Sequence, residues 1–185
     1  FNKISNFYKA EESKKSINYG LKSLELSESN PALIEVKLNS YNIIGLAYKS
    51  LFKFDLAKEY LQKGLDESVL IKSIKFEGKF SSNLGNIYYD EGDFESATKL
   101  YFQSLKADEA LKDTSGIIIS YITIGAVYGV SENNVKSLEY FKKGAFEQMC
   151  IKMLHYCYFF FGGVILPCNE KSEKNKKDMD RRKIV

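Results

Sequence analysis

Residues 81–106, with the sequence SSNLGNIYYDEGDFESATKLYFQSLK, decide the fold. Gly85 and Tyr88 belong to a helical pattern that stops at Glu91-Gly92-Asp93, where a glycine and a short acidic side chain interrupt it. A second helical pattern follows, in which Ala97 and Tyr101 share one face because they are four residues apart. The stretch therefore predicts two helices joined by a short turn.

Two further copies of this arrangement flank the stretch. Gly45, Gly85 and Gly125 recur every 40 residues, and similar residues stand at fixed distances from each glycine. A period in this range indicates a repeat architecture, in which one supersecondary unit stacks on the next. The upstream copy contains Ile44, Tyr48, Ala57, Leu61 and Leu65, and the downstream copy contains Ile124, Tyr128, Ser137, Phe141 and Ala145.

The three glycines predict close contact between the two helices of each unit. A glycine inside a helix costs about 1 kcal/mol relative to alanine, so three of them in register need a compensating reason. A small residue stands 12 positions after each glycine (Ala57, Ala97 and Ser137), which would let the second helix lie against the first. We expect Leu61, Tyr101 and Phe141 to fill the contact from the second helix.

These residues resemble the tetratricopeptide repeat, a helix–turn–helix unit with an aromatic residue, Leu-Gly and Tyr in its first helix and Ala, Phe and Ala in its second. With its 40-residue period, the chain looks like the long-repeat subgroup of that family. The resemblance implies an all-α fold, a right-handed superhelical solenoid of antiparallel helix pairs. The matching residues are Tyr41, Ile44, Gly45, Tyr48, Ala57, Leu61 and Gly64; Ser81, Leu84, Gly85, Tyr88, Ala97, Tyr101 and Ser104; and Tyr121, Ile124, Gly125, Tyr128, Ser137, Phe141 and Gly144.

The chain divides into a repeat array with unlike ends. We expect Asp55, Asp93 and the cluster Asp113-Thr114-Ser115 to cap helices, and a further helix to begin near Asn133-Asn134, since short polar side chains accept hydrogen bonds from first-turn amides. The predicted segments are a partial first hairpin (1–30), three complete units within 31–148 (about 32–69, 70–112 and 114–148), an apolar segment (149–168) and a charged tail expected to be disordered (169–185).

Composition favours a globular repeat protein and offers no cofactor chemistry. The chain has 185 residues and a net charge of +3, with 44% hydrophobic and 28% charged residues, and no basic stripe predicts nucleic-acid binding. Cys150, Cys157 and Cys168 lack the CxxC spacing of zinc and redox sites. The chain begins with Phe1 and shows no signal peptide, so we interpret it as part of a longer protein, expected in the cytoplasm.

The segment 149–168 leaves three interpretations open. It can be a capping helix on the end of the array, a membrane-proximal anchor formed by residues 153–168, or an end that does not continue the array naturally. The apolar run has 16 residues, whereas a bilayer span needs about 20, which favours the cap. A homodimer formed through this apolar end is a further option.

The resemblance implies that a protein or peptide partner binds the concave face lined by the first helices. The expected face changes from polar to apolar along the array, which suits an amphipathic helix or an extended peptide with an apolar end. The alternative that Ile119 and Ile122 are covered by the C-terminal segment has equal weight. The candidate partner-binding residues are Asn39, Asn42, Lys49, Lys79, Asn83, Asn86, Asp90, Ile119 and Ile122.

We expect a non-enzymatic scaffold without cofactor, metal or catalytic residues. His155 has no second histidine or carboxylate nearby in sequence, and a nucleophilic Cys needs a base and an orienting group. Lys79 and Asn83 resemble part of the family's clamp for C-terminal carboxylates, but Ile119 and Thr123 replace its basic residues in the last unit. The alternative function is a sensory or regulatory input segment of a larger, membrane-anchored bacterial signalling protein, such as a sensor kinase or a transcription regulator.

Overall fold

The computed structural model describes the backbone of residues 2–161 and the side chains of residues 10–149. Within this part the chain forms seven α-helices and one short 3₁₀ turn, and each helix packs against the next in sequence. This confirms the predicted all-α solenoid of antiparallel helix pairs. The helices are α1 (Asn2–Glu28), α2 (Ile34–Ser50), α3 (Phe54–Leu70), α4 (Ile74–Glu91), α5 (Phe94–Leu111), α6 (Thr114–Val130) and α7 (Asn134–Phe161), with the 3₁₀ turn at Pro31–Leu33.

A residue in the left-handed backbone conformation follows each helix from α2 to α6, once every 20 residues. Gly92 has φ of 84°, and the four other such residues have φ between 55° and 59° although they are not glycine. The next amide in each turn donates to the carbonyl five residues back, as Lys53 N does to Tyr48 O at 3.0 Å. This is the Schellman motif, which satisfies carbonyls at a helix end. The non-glycine residues are Phe52, Lys72, Lys112 and Glu132.

The residue that completes each Schellman motif also stands at the N-cap of the next helix. Asp93 accepts from Ser96 N at 3.0 Å, and Asp113 accepts from Gly116 N at 3.1 Å, so both predicted caps are confirmed. The prediction for Asp55 is wrong. The Schellman bond fixes the break one residue before Phe54, so Lys53 occupies the cap position and makes no side-chain cap hydrogen bond.

The glycines lie where the helices touch, as the sequence predicted. A Cβ atom on Gly85 would lie 2.8 Å from Cε1 of Tyr101, and one on Gly125 would lie 3.0 Å from Cδ1 of Phe141. Leu61 is fully buried against Gly45 in the first complete pair. At Gly45 and Gly85 a side chain would have to displace a buried neighbour, whereas at Gly125 a small shift of Phe141 would make room.

Both ends of the array differ from the hairpins between them. Asn2–Glu28 is one uninterrupted helix, so no turn divides the expected partial hairpin, and α1 packs on α2 in the way that α3 packs on α4. Residues 149–161 continue α7 instead of forming a separate capping helix. The remainder of the predicted 149–168 segment and the predicted charged tail 169–185 lie outside the described residues.

Candidate functional site

The predicted partner-binding residues all lie on the first helices of the three pairs, α2, α4 and α6. We call the surface that they form the first-helix face. Helices α2 and α4 contact each other directly along this face, in addition to their contacts with α3. Helices α4 and α6 are at most in marginal contact, so the face has one closed seam between α2 and α4 and an open gap between α4 and α6, which we call the α4–α6 seam.

Polar side chains close the α2–α4 seam. Each pair joins a residue of α2 to the residue 40 or 41 positions later in α4, so the repeat period brings these groups together. Because both members come from this chain, much of their hydrogen-bonding capacity is used within the fold. The contacts are Lys79 Nζ to Asn39 Oδ1 (3.2 Å), Asn83 Nδ2 to Asn42 Oδ1 (2.6 Å) and the ion pair Lys49 Nζ to Asp90 Oδ2 (3.0 Å).

Asn42 is a structural residue more than a surface residue. Only 6% of it is exposed, and its Oδ1 accepts the hydrogen bond from Asn83. A buried amide without such a partner would cost about 1–3 kcal/mol, which explains why a polar side chain is stable there. The sequence pattern placed Asn42 on the correct helix, but it could not show that α4 covers it.

Asn86 is oriented by the second helix of its own pair. Its Oδ1 accepts from the hydroxyl of Tyr101 at 2.8 Å, and Tyr101 is 3% exposed. Burial raises the pKa of the Tyr101 phenol, with Asp90 and Tyr89 adding to the effect, so the hydroxyl remains a proton donor. With Oδ1 engaged, the amide nitrogen of Asn86 is free to donate on the first-helix face.

The α4–α6 seam is open and apolar on the α6 side. Ile119, Ile122 and Val130 are 58%, 47% and 50% exposed, and α6 contains no charged residue. Over residues 10–149, no hydrogen bond or ion pair joins α4 to α6. The seam thus has asparagine amides on one wall and aliphatic side chains on the other. The described residues leave Ile119 and Ile122 uncovered.

Lys79 is the exposed charge of the face that lacks a carboxylate partner in the described part of the chain. Its ammonium group donates to Asn39 and lies 5.7 Å from the ring centroid of Phe76. By contrast, the charges of Lys49 and Asp90 compensate each other. The face therefore presents one net positive charge beside its apolar end.

A cleft lies outside the set of predicted partner-binding residues. A cleft of about 510 Å³ opens between α3, α4 and α5, and exposed Leu70 and Ile71 stand near one end of it. Sequence reasoning missed this cleft, although the apolar run Val69-Leu70-Ile71 at a predicted turn was a signal for it. Its lining residues are Leu65, Asp66, Val69, Ile74, Glu77, Ser81, Gln103, Lys106, Ala107 and Ala110.

The structure describes the backbone but not the side chains at Cys150, His155 and Cys157, and Cys168 lies outside the described residues. Among residues 10–149, no group of three or more His, Cys, Asp or Glu side chains could hold a metal ion. No helix of the described part has both the length and the apolar composition needed to span a bilayer.

The sequence profile of the tetratricopeptide repeat matches residues 38–68 and 80–111, which are most of the α2–α3 and α4–α5 pairs. These two ranges are tetratricopeptide repeats. The third pair, α6–α7, lies outside the matched ranges but repeats the same glycine contact and the same turn geometry. No curated protein sequence matches the chain.

Solved structures with a similar fold include BtubC (BKLC) from P. vanneervenii, with a TM-score of 0.69 and 20% identity over 76% of this chain and 58% of that chain. The chain thus spans little more than half of BtubC. Two MamA structures give TM-scores of 0.55 and 0.53 at 17% and 16% identity, covering 76% and 84% of this chain and 81% and 79% of those chains. At these identities the likeness concerns the fold alone.

Proposed function

We propose that this chain is a non-enzymatic protein-interaction scaffold that binds a peptide segment of a partner protein along the α4–α6 seam of the first-helix face. The observation that carries the proposal is the exposure of Ile119 and Ile122 on α6, across the seam from the helix that holds Asn83 and Asn86. Exposed aliphatic side chains next to oriented polar groups are typical of peptide and ligand sites.

The two walls of the seam would recognise different parts of a peptide. Ile119 and Ile122 offer apolar area, and each square ångström of apolar surface removed from water contributes about 25 cal/mol. Asn86 offers an amide donor and Asn83 an amide acceptor, since each uses its other group within the fold. A peptide backbone presents both a carbonyl and an N–H group, so it can pair with both asparagines.

The charge of the face supports a partner with an acidic group near its apolar residues. Lys79 stands 40 positions before Ile119, so the two residues hold the same repeat position on α4 and α6, the two helices that border the seam. A carboxylate of the peptide could pair with the ammonium group of Lys79, which has no acidic partner among the described residues. The proposed ligand is therefore an apolar segment with an acidic residue.

The test begins with a selection of random peptides displayed on phage against the full chain. Binding of the enriched peptides is then measured with Ile122→Asp and Leu111→Asp. These two residues form a matched pair, because both are aliphatic and 47% exposed, and Leu111 lies at the end of α5, away from the seam. We expect Ile122→Asp to weaken binding at least tenfold and Leu111→Asp to leave it unchanged.

Two results would overturn the proposal. One is equal binding to Ile122→Asp and the parent chain by every enriched peptide. The other is a loss of binding with Leu111→Asp alone, which would direct attention to the edge near the α3–α5 cleft. Thermal unfolding of both variants shows whether a loss of binding comes from a loss of folding.

A further inference from the structure

Helix α7 exposes Phe141, whose repeat position is covered by the fold on α3 and α5. Leu61 of α3 and Tyr101 of α5 are 0% and 3% exposed, whereas Phe141 at the same repeat position is 41% exposed. The reason is positional: α3 and α5 each lie between two first helices, while in the described part α7 packs against α6. Phe141 keeps the apolar character of its repeat position, and in the described part no following helix covers it.

Other large apolar side chains extend this face. Leu138, Phe141, Ala145 and Met149 follow each other at spacings of three or four residues, which places them on one side of the helix. Leu138 and Met149 are 55% and 50% exposed. Val135 and Phe146 border the row and are 81% and 43% exposed. We call this surface the α7 face.

The area of the α7 face is enough for association between copies. Five large side chains that are each about half exposed present roughly 100 Å² apiece, since a whole aromatic side chain buries about 150–250 Å². The sum is about 500 Å² on each copy and about 1,000 Å² for two, which reaches the lower limit for a specific interface.

The sequence of the α7 face is self-complementary. When two copies of α7 run antiparallel about a two-fold axis through Ala145, Phe141 faces Met149 of the other copy and Lys142 faces Gln148. Aromatic and thioether groups attract each other, and no like charges meet. The small Ala145 on the axis permits close approach of the two backbones. An isologous contact of this kind closes after two copies.

Because the α7 face is exposed and self-complementary, we propose that two copies of this chain pair through their α7 faces. The two α7 helices run antiparallel, with the two-fold axis at Ala145. The pairing leaves the first-helix face of each copy outside the contact. The dimer would therefore present two partner-binding seams, and its formation does not depend on the proposed peptide binding.

Sedimentation of the full chain at micromolar concentration tests the pairing. We expect the mass of a dimer for the parent chain and the mass of a monomer for Ala145→Arg, because two guanidinium groups would meet at the axis. Ala110→Arg is the matched control, an exposed alanine on α5, and should remain dimeric. A monomeric parent chain, or a dimer that persists in a folded Ala145→Arg variant, would overturn the proposal.

A disulfide test gives the geometry independently of stability. Ala145→Cys is placed in a background with Cys150, Cys157 and Cys168 changed to Ser, so that one thiol remains. A residue on a two-fold axis faces its own copy, so mild oxidation should link most of the chain into a covalent dimer. Lys142→Cys in the same background lies off the axis and should link far less. Equal linkage by both variants, or linkage by neither, contradicts the proposed axis.

Discussion

Gly64 and Gly144 hold the same repeat position in α3 and α7, but their surroundings predict opposite effects of alanine. A Cβ atom on Gly64 would overlap Cζ and Cε1 of Phe80 and lie 2.8 Å from Cε2, and Phe80 is fully buried. A Cβ atom on Gly144 would meet its nearest neighbours at 3.5 Å, which is ordinary van der Waals distance.

The magnitudes follow from two opposing terms. Alanine gains about 1 kcal/mol over glycine inside a helix, and this gain applies at both sites. At Gly64 the ring of Phe80 has no free space, so overpacking should cost about 3 kcal/mol, the upper part of the usual range. We therefore expect Gly64→Ala to lower the free energy of unfolding by about 2 kcal/mol and Gly144→Ala to raise it by about 1 kcal/mol.

Equilibrium unfolding in urea measures both variants against the parent chain. For a chain of this size the loss at Gly64 corresponds to a melting temperature lower by about 4–8 °C. The double change Gly64→Ala with Phe80→Leu removes the ring and should recover part of that loss. If Gly64→Ala unfolds like the parent chain, or if Gly144→Ala is destabilised as much, the account of helix contact through glycine is wrong.

Three further changes test a turn, a hydrogen bond of the first-helix face and a carboxyl group whose pKa is raised by burial. Lys53→Asn should raise the free energy of unfolding by about 1 kcal/mol, because it supplies the side-chain cap that α3 lacks. Lys53→Gln is the control, since it removes the charge but cannot cap the helix. Equal gains in stability from both variants would exclude capping as the cause. Asn86→Ala should lower the free energy of unfolding by about 1–3 kcal/mol, because the buried Tyr101 hydroxyl loses its acceptor. Lys79→Ala, at an exposed residue, is the control and should change the free energy of unfolding by less than about 0.5 kcal/mol. Similar unfolding curves for the two variants would refute the role given to Asn86. Burial at the α5–α6 contact raises the pKa of Asp108 above its ordinary value of 3.8, against a lowering by the hydrogen bond from Ser120. The folded state then holds the proton more tightly, so its stability falls as pH rises from 3.8 through the raised pKa. Asp108→Asn should be more stable than the parent chain at pH 7 and should lose this advantage at a pH below the ordinary pKa of the carboxyl group. An advantage of the same size at pH 7 and in acid would contradict this. Asp55→Asn, at a fully exposed side chain, is the control.

The architecture could be predicted because it depends on residues that repeat. The 40-residue spacing of Gly45, Gly85 and Gly125 predicts the helix pairs. Asp93 and Asp113 predict helix starts that the structure confirms. The turn at Phe52 was not predictable in the same way, since a phenylalanine in a left-handed conformation carries no turn signal. There, backbone hydrogen bonds fix the break, so Lys53 and not Asp55 precedes α3.

The candidate site could be predicted only as far as helix faces. Periodicity assigned all nine residues to the first helices, but pairing between helices depends on distances across the seam. The contact between Lys79 and Asn39 and the burial of Asn42 both come from the approach of α2 to α4. The exposure of Phe141 was also not predictable, since this residue obeys the repeat pattern and differs from Tyr101 only because no following helix packs on it among the described residues.

The most direct test of the central claim is to map backbone amide shifts by NMR while a selected peptide is added to the full chain. Binding along the α4–α6 seam predicts the largest changes at Asn83, Asn86, Ile119 and Ile122, with small changes along α3. Changes confined to the cleft at Val69, Ile74 and Ala110, with the seam unaffected, would contradict the account.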